Sequence, residues 1–147
     1  MKNFTIRKAI KKDFKEIANI LVKESSKKPY DDNYNSKMAF KKISELSKQE
    51  LYAATKGKEI IGFIASNITL DNKKKAYIEE LWLKPSYQRK GIGKSLVKFV
   101  EDIYKKRGVK IIRLVTKRNA GAFKFYKKIN YQEYKELVFM EKRLKIK

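Results

Sequence analysis

The sequence predicts an α/β fold built on one mixed sheet, an antiparallel meander followed by a parallel crossover. Three observations carry this. Three strand-like segments, residues 51–55, 60–70 and 76–83, are joined only by short polar turns, and short turns join antiparallel neighbours. The third segment is followed by a long amphipathic helical pattern and then another apolar run, residues 109–116. A strand–helix–strand order of that length requires a parallel crossover. Finally, apolar residues recur at helical spacing through the first third of the chain.

Taken in order, Phe4 and Ile6 alternate with Thr5 and Arg7 and read as a first strand. Asp13 caps or begins a helix whose apolar face is Phe14, Ile17, Ile20 and Leu21. Residues 24–35, ESSKKPYDDNYN, form a loop by their Pro, Asp and Asn content. A second helix carries Met38, Ile43 and Leu46. The turn Lys56-Gly57-Lys58-Glu59 separates the first two meander strands, and the polar run Asp71 to Lys75 separates the next two. The third meander strand, taken as central, alternates so that Tyr77, Glu79, Leu81 and Leu83 share one face and Ile78, Glu80 and Trp82 the other. From Gly91 a helix presents Ile92, Leu96, Phe99, Val100 and Ile103 on one side and ends near Gly108. Asn119 stands where a cap is favoured, before a helix that turns Phe123, Tyr126 and Ile129 inward. Residues 131–134 and 137–144 read as a closing hairpin, and 145–147 as a frayed basic end. The whole, residues 1–147, is expected to be one domain.

Chemistry concentrates at residues 77–94, YIEELWLKPSYQRKGIGK. A glycine turn feeding a helix N-terminus offers unpaired backbone N–H groups to an anion. Gly91 and Gly93 permit close approach, and Arg89, Lys90 and Lys94 add positive charge. A Walker A loop fails because Gln88 stands where its first glycine belongs, and a dinucleotide fingerprint fails at Leu96. What remains, Gln88-Arg89-Lys90-Gly91-Ile92-Gly93, resembles the Q/R-x-x-G-x-G/A signature of the GNAT superfamily of N-acetyltransferases. A second segment, residues 119–131, NAGAFKFYKKINY, is similar to that family's N-x-x-A-x-x-F-Y-x-x-x-G-F through Asn119, Ala122, Phe125, Tyr126 and Tyr131. Asn130 replaces the usual glycine, and Asn tolerates the left-handed conformation.

The resemblance implies a GNAT-like sheet of six to seven strands flanked by about four helices. It implies acetyl-CoA as cofactor, with its pyrophosphate on the amides from Gln88 through Arg89, Lys90, Gly91, Ile92 and Gly93 to Lys94. The pantetheine arm is expected along Leu81, Trp82, Leu83 and Lys84, with Asn119 nearby. Family members that draw a base from the central strand place it at positions matching Glu79 or Tyr77, so Glu79 is preferred to Glu80. The strand before Asn119 offers no carboxylate between Leu114 and Thr116. A free lysine-like amine has a pKa of about 10.4, so the acceptor must lose a proton before attacking the thioester. Glu79, directly or through water, would take it. A backbone N–H near Trp82 or Leu83 would stabilise the oxyanion. Tyr126 would protonate the departing thiolate, although an aromatic there also serves simply to pack against the sheet.

The same resemblance makes the helix–loop–helix region one wall of the acceptor site. Tyr30, Asp31, Asp32 and Glu80 are then candidates to bind a cationic amine, against the alternative of an ordinary Asx-rich turn. With no cysteine and no histidine, thiol catalysis is excluded and a metal site is not expected. No long apolar run and no leader pattern are visible, so a soluble cytoplasmic protein without membrane contact is expected. The formal net charge of +22 admits two readings, lysines spread over every face or a nucleic-acid partner. Three functions follow in order: acetylation of a polyamine or other small cationic amine, acetylation of a protein N-terminus or lysine, and nucleic-acid binding. A homodimer through the last strands is an expectation of the resemblance alone.

Overall fold

The computed structural model describes residues 3–69 and 72–146. The elements follow the order β1 (Thr5–Lys8), α1 (Phe14–Ser25), α2 (Ser36–Leu46), β2 (Glu50–Lys56), β3 (Glu59–Ile68), β4 (Lys75–Leu83), α3 (Ile92–Lys106), β5 (Ile111–Arg113) and α4 (Gly121–Lys128). The five strands form one sheet in the order β1-β2-β3-β4-β5. All pairs are antiparallel except β4 with β5, which is parallel, so the meander and the crossover both stand. The predicted end of the second meander strand at Leu70 and the first turn residue Asp71 lie outside the described residues, as does Lys147.

Helices cover both faces. Phe14, Ile17 and Leu21 of α1 and Ile43 of α2 pack with Leu51, Phe63 and Ala65 on one side. Ile92, Leu96, Val97, Val100 and Tyr104 of α3 pack with Ile61, Ile64 and Ile78 on the other, where Tyr126 of α4 joins them. Each fully buried Ile or Leu contributes about 1.5–3 kcal/mol by leaving water. Asn35 caps α2 through Met38 N–H at 2.8 Å. Asp13 begins α1, but its carboxylate accepts from Ile10 N at 2.8 Å and from the Arg7 guanidinium at 2.7 and 3.0 Å, which ties β1 to the helix.

Several expectations are corrected. The sheet has five strands, not six to seven, because no hairpin forms over residues 131–134 and 137–144. The apolar run 109–116 yields only the three residues of β5. β4 is therefore not central along its length. It meets β5 only at Lys75, Ala76 and Tyr77, and beyond Tyr77 that edge carries no strand. The N-cap of α4 is Ala120, not Asn119. Phe125, not Phe123, packs inward, while Phe123 lies beneath the cations of Arg118 and Lys127. Asn130 does take the left-handed conformation, at φ 75°.

The largest correction concerns the faces of β4. Ala65 pairs with Glu80 but Ser66 pairs with Ile78, so Glu79 is an extra residue, a β-bulge. The alternation shifts there. Ala76, Ile78, Leu81 and Leu83 all pack toward α3, and Trp82 packs toward α1 and α2. The bulge is held by one buried hydroxyl. Ser66 Oγ donates to Tyr77 O at 2.7 Å and accepts from the Tyr104 hydroxyl at 2.8 Å. Ser66→Ala leaves the buried Tyr104 hydroxyl without its partner and is expected to cost about 1–3 kcal/mol in denaturant unfolding. A loss below ~0.5 kcal/mol would show that the bulge holds without it.

Candidate active site

The turn before α3 is built for an anion. After Leu83 the chain makes a short helical turn over Pro85–Tyr87. It then passes through Arg89 at φ 62° and Gly91 at φ 84° before α3 begins. Ser95 N bonds back to Gly91 O. The backbone amides from Arg89 to Lys94 find no acceptor among the described residues. They lie at the positive end of a 15-residue helix, beside the side chains of Arg89, Lys90 and Lys94. A Cβ on Gly91 would meet no atom, so Gly91 is required by its positive φ and not by space. A Cβ on Gly93 would come within 3.3 Å of the Phe125 ring, so here closeness to α4 sets the requirement. Gln88 is otherwise engaged: its side-chain amide donates to Leu83 O at 3.0 Å and to Glu24 at 3.2 Å.

Next to this turn runs the edge of β4, residues 78–83, that carries no strand among the described residues, where Leu81 and Leu83 turn their backbone groups outward while those of Trp82 face Phe63 of β3. The other side is fixed on β3. Gly62 lies so close that a Cβ there would fall 2.2 Å from Leu83 Cδ2 and 2.9 Å from Trp82 O. A slot thus leads from the anion turn along β4, shaped for a phosphate group followed by an extended chain that hydrogen-bonds to backbone.

At the far end of the slot the bulge brings two carboxylates to the same side. Glu79 is exposed and accepts from Asn67 Nδ2 at 3.2 Å. Asn67 follows Phe63 and Ala65 on the face of β3 that packs on α1 and α2. Glu80 is more enclosed. One oxygen accepts from Trp82 Nε1 at 2.6 Å and the other from Lys42 Nζ at 2.7 Å. Tyr126 is buried, its ring edge-on to Phe125 and Tyr131 at 4.9 and 5.3 Å between centroids. Burial, with the fields of Tyr30 and Glu80, pushes its pKa upward, so the phenol keeps its proton. Its hydroxyl makes no hydrogen bond among the described residues. No sealed side-chain oxygen there lacks a partner, so this one remains open to solvent.

Tyr30 stands over the site, edge-on to Trp82 at 4.8 Å, its hydroxyl 3.4 Å from Ala122 N of α4. Asp31 and Asp32 are exposed, and Asp31 has φ 52°. Asn119 is exposed in the loop before α4. Lys42, which bonds both Tyr34 and Glu80, escaped the sequence reading. A lone lysine on a lysine-rich helix carries no signal, and only the fold brings it to Glu80.

An anion turn at a helix N-terminus, opening onto a strand edge without a neighbour in a mixed sheet, suits a phosphate-bearing ligand with an extended chain. Residues 13–131 match the Acetyltransferase (GNAT) family, and the chain belongs to that family. An uncharacterized N-acetyltransferase of Methanocaldococcus jannaschii is 27% identical over 148 residues, covering 94% of this chain and 64% of that protein. Spermidine N(1)-acetyltransferase of Thermoplasma acidophilum is 40% identical over 74 residues, half of this chain and 44% of its own. The chain thus spans less than two thirds of these curated relatives. Among solved structures, PaiA N-acetyltransferase of Thermoplasma acidophilum in complex with coenzyme A superposes with a TM-score of 0.69 at 28% identity, over 89% of this chain and 91% of that one. No helix among the described residues is long and apolar enough to cross a membrane.

Gly91→Val forces a β-branched residue into the left-handed region beside the free amides. We expect the Kd for coenzyme A, read by calorimetry, to rise by about tenfold or more while the protein stays folded. Unchanged binding in a folded variant would remove the turn from the cofactor site.

Proposed function

We propose that this protein is an acetyl-CoA-dependent N-acetyltransferase that moves an acetyl group to a primary amine of a small cationic acceptor. The observation that carries the reading is the row of unbonded amides from Arg89 to Lys94 at the head of α3, in line with the unpaired edge of β4. These groups fit the cofactor's two parts. The turn suits its pyrophosphate, and the outward backbone of Leu81 and Leu83, on either side of Trp82, suits its pantetheine arm, with Asn119 as a further contact. Bound there, acetyl-CoA supplies the activated acetyl group as a thioester.

This chain's own residues divide the remaining work. Glu79, exposed and held only by Asn67, is free to accept the acceptor's proton, directly or through water. A β4 amide near Trp82 or Leu83 faces the developing oxyanion. Tyr126 keeps its proton and is poised as a donor to the leaving thiolate. Because the phenol stays protonated it is not available to take a proton, which leaves deprotonation to the carboxylate. Tyr30, Asp31 and Asp32 form the acceptor wall. The preference for a cationic amine draws support from the carboxylates around the slot and from the relative that acetylates spermidine.

The test is thiol release from acetyl-CoA against polyamines, amino acids and short peptides, with a water-only control. Turnover with amines supports the reading, whereas coenzyme A binding without turnover on any amine overturns it. Turnover confined to peptides replaces the small acceptor with a protein N-terminus. Glu79→Gln is expected to lower kcat by about a hundredfold with cofactor affinity unchanged. Tyr126→Phe keeps the packing and removes only the unbonded hydroxyl. It is expected to lower kcat about tenfold or more with little change in thermal midpoint. Wild-type kcat in either variant would remove that residue from its role.

A further inference from the structure

The face of the sheet that carries the carboxylates holds a second constellation. Lys42 Nζ lies 2.7 Å from Glu80 Oε2 and 2.7 Å from the Tyr34 hydroxyl. The same ammonium stands 5.1 Å from the centroid of the Tyr34 ring. The second oxygen of Glu80 is fixed by Trp82 Nε1. A carboxylate and a phenol oxygen thus converge on one ammonium, which lies off the hydroxyl edge of the Tyr34 ring. That set recognises an alkylammonium group, whichever molecule carries it.

We propose that this cage is an acceptor subsite for the second ammonium of a di- or polyamine, and that Lys42 is its resident competitor. The proposal rests on the acetyl-transfer reading of the adjoining slot. Lys42 is the exchangeable member of the cage. Its side chain is 33% exposed against 10% for Glu80, and its charge hangs on a flexible four-carbon stem. Glu80 is anchored in a strand and by an indole. Burial works against the charge on Lys42, but the bonds to Glu80 and Tyr34 outweigh it and raise the pKa. Lys42 therefore stays a cation and does not compete as a nucleophile. An incoming alkylammonium replaces like with like, and the displaced lysine swings to solvent. A monoamine gains nothing from the cage and leaves Lys42 in place. Lys42 thereby weakens binding of every diamine by the work of its own displacement, and acts as a specificity-determining residue.

The experiment measures Kd by calorimetry on the full chain for a four-carbon diamine and for butylamine, without acetyl-CoA. Lys42→Met keeps the stem and removes the competitor. It is expected to tighten diamine binding about tenfold and to leave butylamine within about twofold. Lys42→Arg grips Glu80 with a two-pronged guanidinium and is expected to weaken diamine binding by a similar factor. A diamine-to-butylamine ratio within about twofold of wild type in both variants overturns the proposal. If Lys42→Met fails to melt cooperatively, Lys42→Arg alone decides. Because no thioester is present, the two failures are read apart: unchanged binding ratios overturn this proposal, and diamine binding without acetylation of the same amines overturns the transferase reading on which it rests.

Discussion

One extra residue in β4 governs what the acceptor side of the sheet can do. A regular strand would send Glu79 and Glu80 to opposite faces, one of them into the apolar layer beneath α3. The bulge between Ala65 and Ser66 removes that conflict. Both carboxylates face the same side, and the residues that pack under α3 are all apolar. The cost is a disrupted ladder, and Ser66 offsets it by linking the Tyr77 carbonyl to Tyr104 across the sheet. The helix that begins at the anion turn thus also supports the strand that carries the carboxylates. Turn and carboxylates are two ends of a single packed unit, Ile92 to Tyr104 on Ile61, Ile64 and Ile78.

The end of α1 and the segment that follows it join the parts of the site that the sheet does not. Glu24 meets Gln88 at the turn, Tyr30 meets Trp82 on β4, and Lys117 donates to Pro29 O at 2.6 Å in the loop before α4. A tyrosine hydroxyl at the amide of Ala122 completes the contact with the helix that carries Tyr126. The anion turn, β4 and α4 therefore all contact one short stretch of chain, residues 24–30.

Much of this was legible in the sequence. The meander, the crossover and the anion turn depend on local patterns: alternation, short polar turns, and Gly91 before an amphipathic run. Asn130 declared itself because few residues adopt positive φ. The largest error comes from the bulge. Alternation assigns faces only while the register is unbroken, and a bulge is set by pairing with a distant strand, so the side taken by Ile78 and Glu79 could not be read from β4 alone. Asn119 was expected to cap α4 on residue type, yet the turn places Ala120 there. Lys42 was invisible for a related reason. It is one of 38 basic residues, and nothing local distinguishes the one that meets Glu80 across 38 positions of chain. The closing hairpin was inferred from apolar content, which does not by itself produce pairing.

That last segment bears on how copies of the protein behave toward one another. Phe139 and Met140 are 84% and 86% exposed, beside Leu137 and Val138, and β5 is an edge strand. Such a surface is adhesive. It is carried on a molecule of formal charge +22, whose mutual repulsion reaches about 8 Å at physiological ionic strength and about 3 Å at 1 M salt. Colloidal stability in this protein is therefore electrostatic, and added salt or a polyanion, by shortening that reach, moves the solution from dispersed molecules toward association.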